Sequence, residues 1–370
     1  MGLLEKVKSL LGGSNDIMGQ HIQLNVCMMG PRGVGKTTVL TSIFHDSDKM
    51  LNKDGLYFSA CGETRDKIED GYQQLCDIFR EIPDEQATPL PGINATKGIS
   101  EFKFRLGLKG DGARKDKRTS VNVTITDFPG EFVDENHTEY AKAQEFIKKS
   151  ELIILAIDAV HLMEEEGKYN EVRNKSVYMC KKISTMLKLL GSTERKVILF
   201  VPLKSEKYFI QKRMTELTDK VCKAYKPLID DVRANYGGQI GLFVTPIQTL
   251  GGVTFNQFGK GADGNVALNM DGCPSDVKYK FFRIFSDKKP MYMPAYCVQP
   301  LYYLVAFALS QYKANQKSGG ILGTMFKGVF SLFSSDLEFY QACQNFVSKI
   351  KTDGDGYVTL NNPKIINTNF

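Results

Sequence analysis

The chain has 370 residues, more than twice an average domain, so one large domain with insertions or two smaller ones is expected. With 42% hydrophobic and 24% charged residues it is ordinary for a soluble globular protein, which excludes a collagen-like, wholly disordered or multi-span membrane chain. The 48 Lys+Arg against 42 Asp+Glu leave +6, and because acids are interspersed among the bases there is no clear nucleic-acid patch.

In chain order, Leu3, Leu4, Val7, Leu10 and Leu11 share one face of a helix that Gly12 and Gly13 stop. Residues 1–21 therefore read as an N-terminal amphipathic helix and linker, neither a secretion signal nor a spanning segment. A short strand, QLNVCMM, starts at Gln23 and runs into Gly30, and a helix follows from about Lys36 to His45. Residues 46–99 read as a helical insertion, in which Ile68, Tyr72, Leu75, Phe79 and Ile82 recur at helical spacing as a core-facing stripe.

Beyond a Pro- and Gly-containing loop, EFKFRLGL alternates like a half-buried strand. It leads through the charged tip Lys109 to Arg118 into SVNVTITD, which together suggest an antiparallel hairpin. ELIILAID, KVILFVPL and IGLFVTPI are continuous apolar runs separated by helical stretches, the mark of strands covered on both faces. The expected fold is thus α/β, a mostly parallel six-stranded sheet flanked by helices over residues 22–315. Glycine-rich residues 250–292 read as an extended loop or small lobe. An apolar helix spans about Pro300 to Tyr312. Residues 316–370 form a C-terminal extension with one helical pattern and a candidate terminal strand. Within it, Ile321 to Phe333 reads either as an interior helix broken by glycines or as a docking segment for a partner or membrane surface.

The eight cysteines lie far apart, with no C-x-x-C and no Cys/His pair at zinc spacing, and read as reduced thiols of a cytoplasmic protein. Chemistry concentrates in GPRGVGKT, from Gly30 to Thr37, between a predicted strand and a predicted helix. Amides of Gly30, Arg32, Gly33, Val34 and Gly35, with the positive end of the following helix and Thr38 in its first turn, make a concave site for a diphosphate. Lys36 bridges the terminal phosphates and Thr37 offers a hydroxyl to Mg²⁺. In TITDFPGEF, Asp127 ends a strand where a carboxylate can hold Mg²⁺ through water, and Gly130 can give its N–H to a γ-phosphate.

GPRGVGKT followed by DFPG resembles the P-loop GTPases of the translation-factor and Ras-like (TRAFAC) class. The resemblance implies GTP and GDP as ligands, Mg²⁺ as the metal, and hydrolysis. It assigns the Mg²⁺- and γ-phosphate-capping threonine of that class to Thr96 in NATKGISEF, with Thr88 as runner-up. The guanine-reading motif [NT]-K-x-D falls on Leu203 to Glu206, so Lys204 would stack its stem on the base and Glu206 would accept from guanine. Leu203 and Glu206 depart from the pattern, which leaves adenine open. VTPIQ, with Pro246, falls where the class places its backbone-reading loop. TPIQTLGG and PAYCVQPLYYLVAF are similar to the bacterial predicted double-GTPase proteins.

Phosphoryl transfer is mostly positioning and charge neutralisation. Glu131 stands where Ras-like proteins carry the water-orienting glutamine, and its charge beside a γ-phosphate is unfavourable unless offset. Arg32 points either over the phosphates as a built-in arginine finger or to solvent. His137 reads as a solvated helix-start residue. A slowly hydrolysing GTP switch controlling a protein effector or regulator follows. A P-loop ATPase and a nucleotide-binding scaffold without turnover are the competing readings, and homo-oligomer formation is left open.

Overall fold

Runs of apolar residues with no polar face form strands only where both faces are covered, and the centre of the sheet obeys this rule. The structure is a computed structural model that describes residues 23–81, 88–89, 98–110, 120–282, 290–318 and 332–367. The chain opens with β1 (Gln23–Gly30), α1 (Lys36–Asn52), β2 (Leu56–Ala60), α2 (Glu63–Glu81) and the short β3 (Thr88–Pro89). The hairpin β4 (Ser100–Leu108) and β5 (Ser120–Pro129) follows, then a 3-10 turn at Gly130–Val133 and α3 (Tyr140–Lys149). Next are β6 (Leu152–Asp158), α4 (Ala159–Met163), α5 (Asn170–Asn174), α6 (Ser176–Leu187) and β7 (Lys196–Leu203). After these come α7 (Glu206–Ile210), α8 (Met214–Ala224), α9 (Lys226–Asn235) and β8 (Ile240–Val244). The chain continues through β9 (Val253–Phe258), β10 (Val277–Phe281), α10 (Gln299–Ser318), α11 (Leu337–Val347) and β11 (Val358–Asn361).

Among the described residues the main sheet has eight strands in the order β11-β8-β7-β6-β1-β5-β4-β2, not the six expected from the sequence. β5, β1, β6, β7 and β8 are parallel, whereas β4 runs antiparallel to β5, as the hairpin pattern implies. One extra strand, β2, lies within the segment read as a helical insertion. α1 runs on to Asn52 rather than stopping near His45, and the five residues LYFSA then pair antiparallel with β4. The other, β11, pairs antiparallel with β8 and closes that edge.

Helices cover both faces. On one, α1, α10 and α11 bury Val39, Ile43, Leu304, Phe307, Phe339 and Phe346 against the sheet. On the other, α3, α6, α8 and α9 bury Ile147, Met179, Leu217 and Leu228. Each such side chain contributes roughly 1.5–3 kcal/mol of transfer free energy. Because α11 and Ile365 share the first core, the C-terminal segment is packed into the same body as α1.

Residues 250–292 contribute β9 and β10, which with β3 (Thr88–Pro89) form a second sheet in the order β3-β10-β9. Its apolar side, Val253, Phe255, Phe258, Tyr279 and Phe281, forms a third cluster with Leu75 and Phe79 of α2. The helical stripe expected in the insertion is therefore shared: Ile68 enters the main core while Leu75 and Phe79 hold up this small sheet. The N-terminal helix, Ile82, the hairpin tip beyond Gly110, Thr96 and residues 321–331 lie outside the described residues. Phe333 is buried against Tyr312 and Phe339. No helix among the described residues is long and apolar enough to cross a membrane.

Candidate functional site

Parallel strands deliver their outgoing loops to one edge of the sheet, and the chemistry collects there. Gly30 stands opposite Pro129, and Asp158 opposite Leu203, at the carboxyl ends of β1, β5, β6 and β7. Glycine is required at Gly30 because a Cβ would stand 2.5 Å from the Ala156 carbonyl oxygen. Gly33 (φ 67°) and Gly35 (φ 110°) take left-handed conformations that let the loop curl back on itself. α1 then begins without a side-chain cap at Gly35, an arrangement in which the positive end of a helix serves an anion.

Lys36 folds back beneath the loop. Its Nζ donates to the carbonyl oxygens of Gly30 at 3.1 Å and Pro31 at 3.4 Å, and stands 3.7 Å from Asp127 Oδ1. Asp127 reaches this point because β5 pairs with β1 in a register that sets it opposite Met28. Both side chains are buried. Burial pushes the Lys36 ammonium down from its usual value and Arg173 adds to this, while Asp127 and Glu131 work the other way. A buried ammonium held on main-chain oxygens beside a carboxylate is poised for an incoming polyanion.

Gly130 follows Asp127 into the 3-10 turn and packs against Gly30, whose oxygen lies 3.5 Å from where a Gly130 Cβ would be. Arg32 and Glu131 find each other: Arg32 Nε lies 2.5 Å from Glu131 Oε1, with side chains 53% and 38% exposed. Arg32 is thus paired with the glutamate of the turn after β5, and it also borders the cavity described below. His137 stacks on Phe132 at 4.3 Å and its Nδ1 accepts from the Glu139 N–H.

On the other flank, Asp158 at the end of β6 is fully buried and gathers three basic groups. Its Oδ2 accepts from Lys204 Nζ at 2.9 Å and Arg173 Nε at 3.4 Å, and His161 Nδ1 stands 2.9 Å from Oδ1. Burial alone would raise the Asp158 pKa, but Lys204, His161 and Arg173 outweigh it and hold the carboxyl well below the usual carboxylate range. Burial opposes the Lys204 charge too, yet Asp158 prevails and moves that ammonium up. The Lys204 Nζ is thus tied to Asp158. Its backbone N–H donates to Thr249 Oγ1 at 3.2 Å.

Glu206 turns its Oε1 to the N–H groups of Leu250, at 2.7 Å, and Gly251, at 3.3 Å, and so fixes the loop after β8. Burial raises its pKa. Pro246 is not among the residues bordering the cavity described below, and its buried carbonyl accepts from Tyr357 Oη at 3.1 Å. Thr88 lies in β3 opposite Tyr279.

Residues 32–38, Asp127, Lys204 and Glu206, expected from the sequence, border one cavity of about 410 Å³. The small three-stranded sheet roofs it, with Tyr279, Val277 and Phe255 facing the loop across the gap. Sequence reasoning missed Asp158, Arg173, His161 and Thr249. Asp158 had one available signal, since it is the acid that ends the apolar run LIILAID. Arg173 had none, as only the folding of α5 back over β6 brings it in.

A strand, a glycine loop and a helix, with a buried lysine and a strand-end aspartate converging at the carboxyl edge of a mostly parallel sheet, define a GTPase-type P-loop domain. The chain matches the family Double-GTPase 2 over residues 25–229 and belongs to that family. No curated protein matches it. Among solved structures it is similar to the signal recognition particle receptor SRb-GTP/SRX complex from Chaetomium thermophilum at 14% identity, covering 63% of this chain and 93% of that one, with a TM-score of 0.34. It is similar to the S. cerevisiae Ski7 GTPase-like domain bound to GTP at 15% identity, covering 67% of this chain and 45% of that one, TM-score 0.33. A third likeness is to an Aquifex aeolicus Era variant bound to GDP and AlF4⁻, at 14% identity over 79% of this chain and 68% of that one, TM-score 0.26.

Proposed function

We propose that this protein is a guanine-nucleotide switch that binds GTP and GDP with Mg²⁺ and hydrolyses GTP slowly, controlling a protein partner. The carrying observation is the buried Lys36, held on the Gly30 carbonyl with Asp127 3.7 Å away. An ammonium that has lost its water gains most from a phosphate placed over the loop. Residues 32–37 wrap the phosphates, and Gly130 gives its N–H to the γ-phosphate.

Thr37 and, through water, Asp127 would hold Mg²⁺. One hydroxyl and one carboxylate suit an ion that keeps most of its coordination for phosphates and water. The bound ion would neutralise developing charge on the phosphates. Lys204 and Glu206 flank the base, the first through its stem and the second through the loop it fixes. Phe255 and Tyr279 of the roof limit water above the ligand.

Glu131 in place of a neutral water-orienting group accounts for slow turnover. The 2.5 Å pair between Arg32 and Glu131 links the phosphate loop to the turn after β5, so contact of that turn with the γ-phosphate competes with the pair. Loss of the γ-phosphate restores it, and a partner that reads this turn senses the nucleotide state. The same pair favours a second reading, a nucleotide-binding scaffold without turnover, because it keeps Glu131 from orienting water.

Calorimetry and phosphate release with GTP and ATP, with Lys36→Ala as control, test the proposal. GTP binding in the presence of Mg²⁺, lost by at least about 100-fold in the variant, supports it. Preference for ATP sinks the guanine reading, and tight GTP binding with no release in either protein selects the scaffold.

A further inference from the structure

Arg173 belongs to no motif, yet it is the second cation to reach the phosphate loop. Its Nη2 lies 3.6 Å from where a Cβ on Gly33 would stand, so the guanidinium rests against the middle of the loop. Its Nε is held at 3.4 Å from Asp158 Oδ2. The backbone behind it is fixed twice: the Asp158 N–H donates to Asn174 Oδ1 at 2.8 Å, and Asn174 Nδ2 donates to the Asp158 carbonyl at 3.1 Å. Asn174 Nδ2 also donates to Asn170 Oδ1 at 2.9 Å. Arg173 borders the same cavity as Lys36 and Thr37.

The cavity also holds the carboxylates Asp127, Glu206 and Asp276, so the bearing of Arg173 on a ligand rests on where its fork points. Lys36, Arg173 and Lys204 converge on one cavity, and the guanidinium raises the cost of charging Lys36. Asp158 carries one negative charge and serves both Lys204 and Arg173. Asp158 engages Nε of the guanidinium, while Nη2 is the end that lies against the loop. An anion over the loop would meet the fork donors that Asp158 does not use.

We propose that Arg173 is a phosphate-binding residue of this pocket, a built-in cation that Asp158 holds against the glycine loop to contact the di- or triphosphate of the bound nucleotide. The proposal rests on the nucleotide reading above and assigns to Arg173 the charge-neutralising part for which Arg32 was the sequence candidate. The guanidinium belongs to the chain itself, so no partner need supply one.

The test is calorimetric titration of GMP, GDP and GTP, with Mg²⁺, into the full chain and its Arg173→Ala and Arg173→Lys variants, with melting curves taken without nucleotide. A lost charge-assisted contact to phosphate weakens GDP and GTP by about 10- to 100-fold and leaves GMP within about threefold. Arg173→Lys, which keeps the charge and loses the fork, falls between. An equal loss for GMP, GDP and GTP assigns Arg173 a merely structural role and overturns the proposal, as does unchanged affinity for all three. A wild-type chain that binds none of them removes the nucleotide reading and this inference together. Wild-type binding with an unaffected Arg173→Ala variant removes this inference alone.

Discussion

Asp158→Asn replaces a fully buried carboxylate that serves Lys204, Arg173 and His161 at 2.9, 3.4 and 2.9 Å. Asparagine keeps the shape but offers one acceptor in place of two and turns an NH2 group toward donors. The buried Lys204 ammonium is left without its counter-charge. Removing one partner of a buried ion pair costs about 3–5 kcal/mol. With unfolding entropy near 2.1 cal/mol/K per residue, that is a fall in Tm of about 4–6 °C for a chain of this length.

Asp158 sits below and Lys204 above its ordinary pKa, so the pair is ionised in the folded chain across neutral pH. Its contribution is lost only as pH falls through the depressed carboxyl value or rises through the elevated ammonium value. The deficit of the variant is therefore level from about pH 5 to pH 9. The chain has no tryptophan, so the melt is followed by far-ultraviolet circular dichroism. Adding Lys204→Met removes the stranded charge, and the double variant melts closer to wild type than the sum of the single changes. Wild-type melting of Asp158→Asn, or strict additivity in the double variant, refutes the picture of a charge cluster organised by Asp158.

Glu131→Gln removes a carboxylate whose repulsion of a γ-phosphate is roughly 1 kcal/mol, so single-turnover GTP hydrolysis rises about fivefold. Stability changes by less than about 1 kcal/mol because the Arg32 pair is exposed. A slower variant would assign water orientation to Glu131 itself. At the opposite end of the sheet, burial pushes the Glu151 carboxyl up to about 7, against the pull of the Asn25 N–H donating to Oε2 at 2.6 Å and of Lys196. The folded chain therefore holds this proton more tightly than the unfolded one, and stability falls as pH rises from about 4 to 7, by roughly 3 kcal/mol at most. Glu151→Gln gains on wild type across that interval in urea unfolding, and a difference that shrinks with rising pH contradicts the assignment.

What the sequence made legible is what is local along the chain. The glycine loop is a contiguous strand, turn and helix, and Asp127 ends a run whose alternation is visible, so their meeting needed only the parallel pairing of β1 with β5. Arg173 meets Asp158 through an α5 that folds back over β6, and Lys204 joins them from the neighbouring strand, contacts with no spacing to betray them. The roof reads in the sequence as a loop or small lobe because its apolar residues, Val253, Phe255, Phe258, Tyr279 and Phe281, are scattered among glycines and polar residues. β2 is five residues long and follows an extended helix after only Lys53, Asp54 and Gly55, too short an alternation to stand out within a segment that reads as a helical insertion. For Pro246 the sequence offers only a resemblance to a backbone-reading loop, and nothing in its spacing shows that Tyr357, from near β11, donates to its carbonyl.

The pairing of β11 with β8 also bears on how the chain is made. IGLFV is wholly buried in the finished protein, and its outer neighbour arrives only after β9, β10, α10 and α11 have been synthesised. Until then a nascent chain carries an open apolar rim of the kind that templates aggregation. Thr218, which donates to the Gly356 carbonyl at 2.6 Å, and Arg233, which donates to Leu360, are synthesised earlier and wait on α8 and α9 to receive that late strand. Chaperone dependence during translation would accordingly be governed by the interval between these two strands rather than by the speed at which the phosphate loop forms.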